Sequence, residues 1–519
     1  MAGAIASEAA SQDEVFSFLA DPATHGGRAV QRIDTHAASV FLSGDHAFKV
    51  KRAVRYPYLD FSTLAKRKSA LEVELEVNRA FAPQIYAGVV PIVRRPDGGL
   101  AIGGDGAPVE WTLRMRRFDE TQTLDHLAAA GLLDAGFVAA TAEAIAVAHQ
   151  AAAICRDAAW PQTIPALIAG NTAAFVAAGR FTAGQVQALD RDSRAAFARL
   201  NDLLTGRRDA GFVRRCHGDL HLANIVRIDG KPVLFDALEF DAAMATTDVL
   251  YDLAFALMDL ISYGRGTAAN IMLNRYLAIT SPDNVDALST LPLFLSIRAA
   301  IRANVLLARL DRKGSDRSDV MARAETYFTL ARRMIAPARL RLIAVGGLSG
   351  TGKSVLAREL APDIAPLPGA VVLRSDVLRK HQFAMPETGR LPADAYRPEV
   401  TAAVYDTLAE RAGRVLAAGH SVVVDAVFAR PAERAAIAEV ARSAGVAFTG
   451  LFLQADTTIR AARVAGRRDD ASDATAEIAR RQDAYDLGAM DWISIDASGT
   501  PEQTLARSRA KLVGDDRAP

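Results

Sequence analysis

The 519 residues exceed what one hydrophobic core ordinarily serves, so two or three domains are expected. Half are apolar, 23% are charged and the formal net charge is +1, so no global field singles out nucleic acid, a membrane surface or an acidic partner. The two cysteines, Cys155 and Cys216, are far apart, which excludes a disulfide scaffold and fits a reducing cytoplasm.

The first residues lack a basic region followed by a long apolar run, so no signal peptide is expected. From about Gln31 to Lys51, short apolar runs broken at Ser43-Gly44-Asp45 predict strands and a turn. Leu71, Val73, Leu75, Val77 and Phe81 predict a helix over 63–81. Strands follow at 88–94 and 110–116, joined by the turn-rich PDGGLAIGGDG. Ala- and Leu-rich helix fills most of 123–204, a short β section spans 212–240, and helices are expected over 246–336. The most apolar stretch, 249–263, carries Asp252 and Asp259 and is too short to span a bilayer. It reads as a buried helix, and no membrane partner is expected.

RCHGDLHLANIV places Asp219 five residues before Asn224, and FDALEFD follows with Asp236. In a protein-kinase-like site the Asp of such a loop accepts a hydroxyl proton, the Asn binds Mg²⁺, and a second Asp on the next hairpin completes the metal site. A carboxylate cluster has no stabilising purpose without a cation. The pattern resembles the aminoglycoside phosphotransferase and choline kinase branch of the kinase fold, in which H-G-D replaces H-R-D, over roughly residues 20–335. The resemblance implies Asp219 as base, Asn224 and Asp236 as metal ligands, Lys49 as the lysine on the nucleotide phosphates and Glu74 as its helical partner. Lys51 shares a strand face with Lys49, and the ELE repeat leaves Glu72 and Glu76 as alternatives to Glu74. The resemblance also makes WTLRMRRF the hinge, with main-chain groups near Met115–Arg117 meeting adenine. It gives His149 a packing role and Asp252 the bracing of the catalytic loop. DTHAAS stands where other kinases carry a glycine-rich loop, and Glu239 and Asp241 crowd Asp236. A kinase fold kept as scaffold or regulator is the competing reading of this half.

Pro337 and the apolar RLIAV mark a change, and the boundary is placed there, giving domains 1–336 and 337–519. Strands and helices then alternate at 340–345, 353–361, 370–374, 398–418, 421–425, 431–445 and 447–453, the signature of a three-layer domain with a mainly parallel sheet. GGLSGTGKS fits G-x-x-x-x-G-K-S. The loop from Gly347 through Ser349, Gly350, Thr351 and Gly352 turns its amides inward around phosphates, Lys353 reaches the outer phosphates, and Ser354 ligates Mg²⁺. Asp376, after the next strand, is a candidate base, with a helix N-cap as its structural alternative. Arg374 and Arg379 flank it as possible anion clamps. Asp425 ends the VVVD strand as a candidate for the Mg²⁺ hydration shell. Arg463 and Arg467 are spaced for a basic lid over the nucleotide, or for a solvated helix face. The order of these motifs resembles the small P-loop kinases grouped around gluconate kinase, polynucleotide 5′-kinase, chloramphenicol phosphotransferase and zeta toxin.

The expected fold class is therefore α/β and α+β in two domains: a bilobal protein-kinase-like fold, then a three-layer α/β P-loop NTPase. The combination resembles bifunctional aminoglycoside phosphotransferase/ATP-binding proteins. It implies ATP and Mg²⁺ as cofactors and small-molecule hydroxyl acceptors as partners. The helical segment 158–211 lacks the acidic density a polycationic aminoglycoside would need. A nucleotide-driven switch and a polynucleotide end-kinase are the alternatives for the second half. The neutral charge and the lack of an aromatic-basic stripe count against nucleic acid.

Overall fold

The computed structural model describes residues 12–56, 59–280, 282–310, 317–466 and 471–515. It divides into two compact units, Met1–Thr163 with Thr205–Ala256, and Ile164–Leu204 with Leu257–Pro519.

The first unit is built on a six-stranded antiparallel sheet of β1 (Val30–Asp34), β2 (Ala38–Ser43), β3 (His46–Lys51), β4 (Tyr86–Arg94), β5 (Leu100–Ile102) and β6 (Ala107–Arg116), in the order β1-β2-β3-β6-β4-β5. Phe41, Phe48, Val50 and Ile92 pack under Val15, Phe16 and Leu19 of the helix over 12–20. Leu71 of helix α1 (Leu64–Arg79) closes a second cluster with Ile85, Tyr86, Leu113, Val226 and Val233. Thr63 caps α1, its hydroxyl accepting from the Lys66 amide. Strand β5 lies inside the stretch expected to be a turn: its three residues pair with the end of β4, too short a run to stand out among glycines and aspartates.

Helices α2 (Leu124–Ala130) and α3 (Ala135–Ala151) follow. Strand β7 (Val213–Arg215), the hairpin β8 (Ile225–Ile228) and β9 (Lys231–Leu234), and β10 (Thr246–Asp248) complete the unit. The helix expected from 246 begins at Val249, because Thr246–Asp248 pairs antiparallel with β7 and its β-branched threonines suit that pairing.

The second unit contains a wholly parallel five-stranded sheet of β11 (Arg341–Gly347), β12 (Val371–Arg374), β13 (Val422–Asp425), β14 (Ala447–Gln454) and β15 (Ile493–Asp496), in the order β12-β13-β11-β14-β15. Its central strands are buried on both faces, which is why they read as unbroken apolar runs. Ile343, Val345, Val423 and Leu451 form one core with Leu356 and Leu360 of the helix Lys353–Leu360. Helices in the same unit include α4 (Ile164–Ala178), most of α5 (Ala183–Asp209), the end of α6 (Val249–Ser262), α7 (Gly266–Ile279), α8 (Leu291–Leu307) and α9 (Arg317–Ile335). Phe175 and Phe181 pack on Phe328, and Tyr327 donates to the buried Asp259 at 2.7 Å. The stretch Asp283–Leu307 is long and apolar enough to cross a membrane by length and composition, yet most of it is buried in this unit.

Candidate active sites

In the first unit, β3 projects Lys49 and Lys51 toward α1, where Glu74 is fully buried. Lys49 Nζ lies 2.6 Å from Glu74 and 3.1 Å from Asp236 Oδ1; Lys51 Nζ lies 2.5 Å from Glu74 and 2.9 Å from Glu239. Both lysines thus meet one carboxylate, but only Lys49 also reaches the candidate metal ligand. Glu72 turns outward to Lys68. Burial pushes the Glu74 carboxyl up, and the two ammonium groups outweigh it, holding it below the usual carboxylate range. Burial likewise opposes the charge on Lys49, and Asp236 and Glu74 more than restore it. Glu239 pairs with Lys51, and Asp241 caps the turn Ala242–Ala245.

The loop bearing Asp219 and Asn224 is tied to this cluster through the backbone. Asn224 Nδ2 donates to Asp219 O at 2.9 Å and to Asp219 Oδ2 at 3.2 Å, which leaves its carbonyl oxygen for a cation. The Phe235 amide donates to Asn224 O and the Leu238 amide to His217 O, so the segments bearing Asp219, Asn224 and Asp236 interlock. Asp236 itself has φ of 58°, and its amide donates to the Tyr86 hydroxyl at 3.0 Å. Asn78 of α1 holds the next residue, accepting from the Ala237 amide at 2.7 Å. Asp252, on α6, accepts from the amides of His217 (3.2 Å) and Gly218 (2.9 Å), and His149 Nε2 lies 3.2 Å from it. A side chain at Gly218, with φ of 84°, would strike Ala245. Tyr86 and Asn78 carried no motif signal, because their partners are backbone groups distant in sequence. At the expected hinge, the amides of Arg116 and Arg117 already donate to Ile85 and Asp45, and Met115 packs on the Leu71 cluster.

In the second unit, β11 delivers the chain into the loop Gly347–Gly352 ahead of helix α10 (Lys353–Leu360). The glycines are there for space and backbone freedom. Gly347 has φ of 139° with Leu453 O and Thr351 Oγ1 crowding its missing side chain, and Gly350 has φ of 88° against the Arg460 backbone. Ser349 N donates to Gln482 at 2.7 Å, Thr351 Oγ1 to Leu348 O at 2.8 Å, and Lys353 Nζ to Leu348 O at 3.2 Å. Ser354 sits in the first turn of α10, whose N-terminus favours an anion.

Asp425 ends β13, and Arg374 ends β12 beside it, with Nε 3.2 Å from Asp425. Asp376 stands one residue inside helix α11 (Ser375–Gln382), so it is not the N-cap; Arg374 occupies that position. Burial and then the Asp425 charge raise the Asp376 carboxyl above the usual range, against the pull of Lys353, Arg374 and a hydrogen bond with Ser472. These groups therefore share one site. Arg379 is committed elsewhere, donating to Ala395 O at 2.6 Å. Arg463, on α12 (Thr457–Ala465), donates to the carbonyls of Ala497 and Gly499 and does not face the loop; Arg467 lies outside the described residues. The arginine that supports the loop is Arg460, buried and bonded to Ser349 O and Asp483. Helical spacing alone could not distinguish it from Arg463.

Residues 342–486 match the AAA domain family AAA_33. The chain is 32% identical over 491 residues to the protein Rv2004c of Mycobacterium tuberculosis H37Rv, covering 92% of this chain and 94% of that one. Among solved structures, a gluconokinase from Sinorhizobium meliloti 1021 aligns at 22% identity over 34% of this chain and 93% of its own, with a TM-score of 0.24. A choline/ethanolamine kinase family protein from Mesorhizobium loti aligns at 14% identity over 63% and 99%, with a TM-score of 0.35.

Proposed function

The chain belongs to the family of the mycobacterial protein Rv2004c, and we propose that it is a phosphotransferase with two active sites, each moving the γ-phosphoryl of ATP to a hydroxyl of a small molecule. The observation that carries this reading is the linked set Lys49, Glu74 and Asp236 beside Asp219 and Asn224. A lysine held charged by a buried carboxylate, next to a second carboxylate, is organised to bind a polyphosphate with its cation.

In the first site Asp219 accepts the acceptor's hydroxyl proton, and Asn224 fixes the carboxylate's orientation through Oδ2. Asn224 and Asp236 would hold Mg²⁺, which would neutralise phosphate charge. Lys49 orients the phosphates. A cleft of about 400 Å³ lined by Cys155, Arg156, Trp160, Ala243 and Thr246 adjoins Ala245, which packs against Gly218 of the catalytic loop. It is large enough for a small acceptor. In the second site the backbone of Gly347, Ser349, Gly350, Thr351 and Gly352 and the Lys353 ammonium cradle the phosphates. Ser354 and Asp425 would serve the cation, and Asp376 is the base. Cys155 and Cys216, which form no disulfide with each other, fit a cytoplasmic setting.

The test uses γ-labelled ATP and a metabolite extract, comparing wild type with Asp219→Asn and Lys353→Ala. Each variant is expected to lose a different labelled small molecule, by about 10²–10⁴-fold for loss of the base. Wild type labelling nothing small, with Lys353→Ala alone abolishing ATP turnover, would refute two transferases and leave a nucleotide switch.

A further inference from the structure

Strand β12 is an edge strand, with a strand neighbour only in β13 among the described residues. Val371 directs its amide to Ser421 O on that side. The groups facing the open side are Ala370 O and the Val372 amide. Both meet the side chain of Asn274 on α7: Nδ2 donates to Ala370 O at 3.2 Å, and Oδ1 accepts from Val372 N at 2.7 Å. A residue of a parallel neighbour would bridge the same two groups, so one amide takes the place of a sixth strand and satisfies the edge. Asn270, buried one turn earlier, donates to Ala370 O at 3.0 Å and accepts from Asn274 Nδ2. Gly369, with φ of 116°, leaves room for it; a side chain there would sit 2.7 Å from Asn270 Nδ2.

The next residue of α7 makes a second connection. Arg275 Nη1 lies 2.6 Å from Glu387 Oε1, on the loop that follows α11. Glu387 O accepts from the buried Lys380 Nζ at 2.7 Å, and Lys380 pairs with Asp473, neighbour of the Ser472 that hydrogen-bonds Asp376. Asp376 thus stands between two segments that α7 holds, the strand before it and the loop after it. Helix α7 lies outside the matched AAA domain.

We propose that Asn274 and Arg275, supplied by α7 from outside the P-loop domain, are positioning residues that set Asp376 for phosphoryl transfer at Lys353, a role that rests on the phosphotransferase reading of that site. The cradle of the nucleotide is built by other elements, so α7 acts on the rate and not on nucleotide affinity.

The test measures, in the full chain, the MgATP turnover that Lys353→Ala abolishes. Asn274→Ala is expected to lower kcat about tenfold with KM for MgATP within about twofold, since a small displacement of a reacting group is costly. Asn274→Asp, which keeps shape and the oxygen facing Val372 but sets a carboxylate against Ala370 O, is expected to do the same and covers the case in which the alanine variant fails to fold. Arg275→Glu lowers kcat, and Arg275→Glu with Glu387→Arg restores it to within about threefold. Hydrogen exchange over 370–376 rises in Asn274→Ala while 422–425 stays protected. Folded variants with wild-type kcat, or a charge swap that restores nothing, overturn the proposal while the phosphotransferase reading stands. Wild type lacking Lys353-dependent turnover sinks that reading, and the proposal with it.

Discussion

Glu74 is fully buried between two lysines, so removing its charge leaves two ammonium groups without their shared partner. Glu74→Gln is expected to destabilise the first unit by about 3–5 kcal/mol at pH 7, measured by denaturant unfolding. Its carboxyl is held below the usual range, so the stability it contributes is present above that range and is lost as pH falls through the lowered value. The gap between wild type and variant should therefore close at strongly acid pH; a gap that persists there would assign the effect to packing. At this scale the motifs name residue types, and the neighbours distinguish the individuals. Lys49 and Lys51 share a strand face, and only the position of Asp236, fixed by Tyr86 and Asn78 from elsewhere in the chain, separates them. Arg460 and Arg463 differ likewise in what their neighbours offer, buried loop carbonyls in one case and the end of β15 in the other.

Among the elements, long helices and central strands were legible because burial on a regular lattice writes a period into the sequence. The P-loop sheet's four strands up to 454 fell within a residue or two of expectation, since each is a dense apolar run between turn residues. β5 (LAI), β10 (TTD) and β15 (ISID) were not legible: each is short and, unlike the VVLR and VVVD strands, lacks a run of valines, so pairing decides them. Helix ends carry chemistry of their own. Asp134 caps α3 by accepting from the Phe137 amide at 2.7 Å, and the last turn of α3 carries His149, which contacts Asp252. Asp134→Ala should cost about 1 kcal/mol in urea unfolding, with first-site activity nearly unchanged. A loss of several kcal/mol would mean that Asp134 holds more than the cap.

For the whole molecule, the motif boundary near 337 and the compact units divide the chain differently. The sequence separates a kinase-like half from a P-loop half, whereas helices 164–204 and 257–335 share a unit with the P-loop sheet. Asn274 on β12, and Arg414 paired with Asp286 at 2.6 Å, are side-chain bonds across that sequence boundary within the second unit. A chain ending at Ala336 would expose the α7 surface that covers Gly369 and Ala370, and is expected to aggregate or to melt well below the intact protein. A soluble monomer with unchanged melting temperature would show that the kinase-like half stands alone.

What the sequence determined by itself was the motifs and the periods: the P-loop, the H-G-D loop with its Asn and downstream Asp, and the period of the larger elements. These are local, because each depends on residue types at fixed spacings along one segment. The tertiary structure decided which lysine meets Asp236, which arginine supports the phosphate loop, and which helix completes the edge of the parallel sheet. Those outcomes depend on hydrogen bonds and ion pairs between residues up to 187 positions apart, and such pairs leave no periodic trace in either partner's neighbourhood.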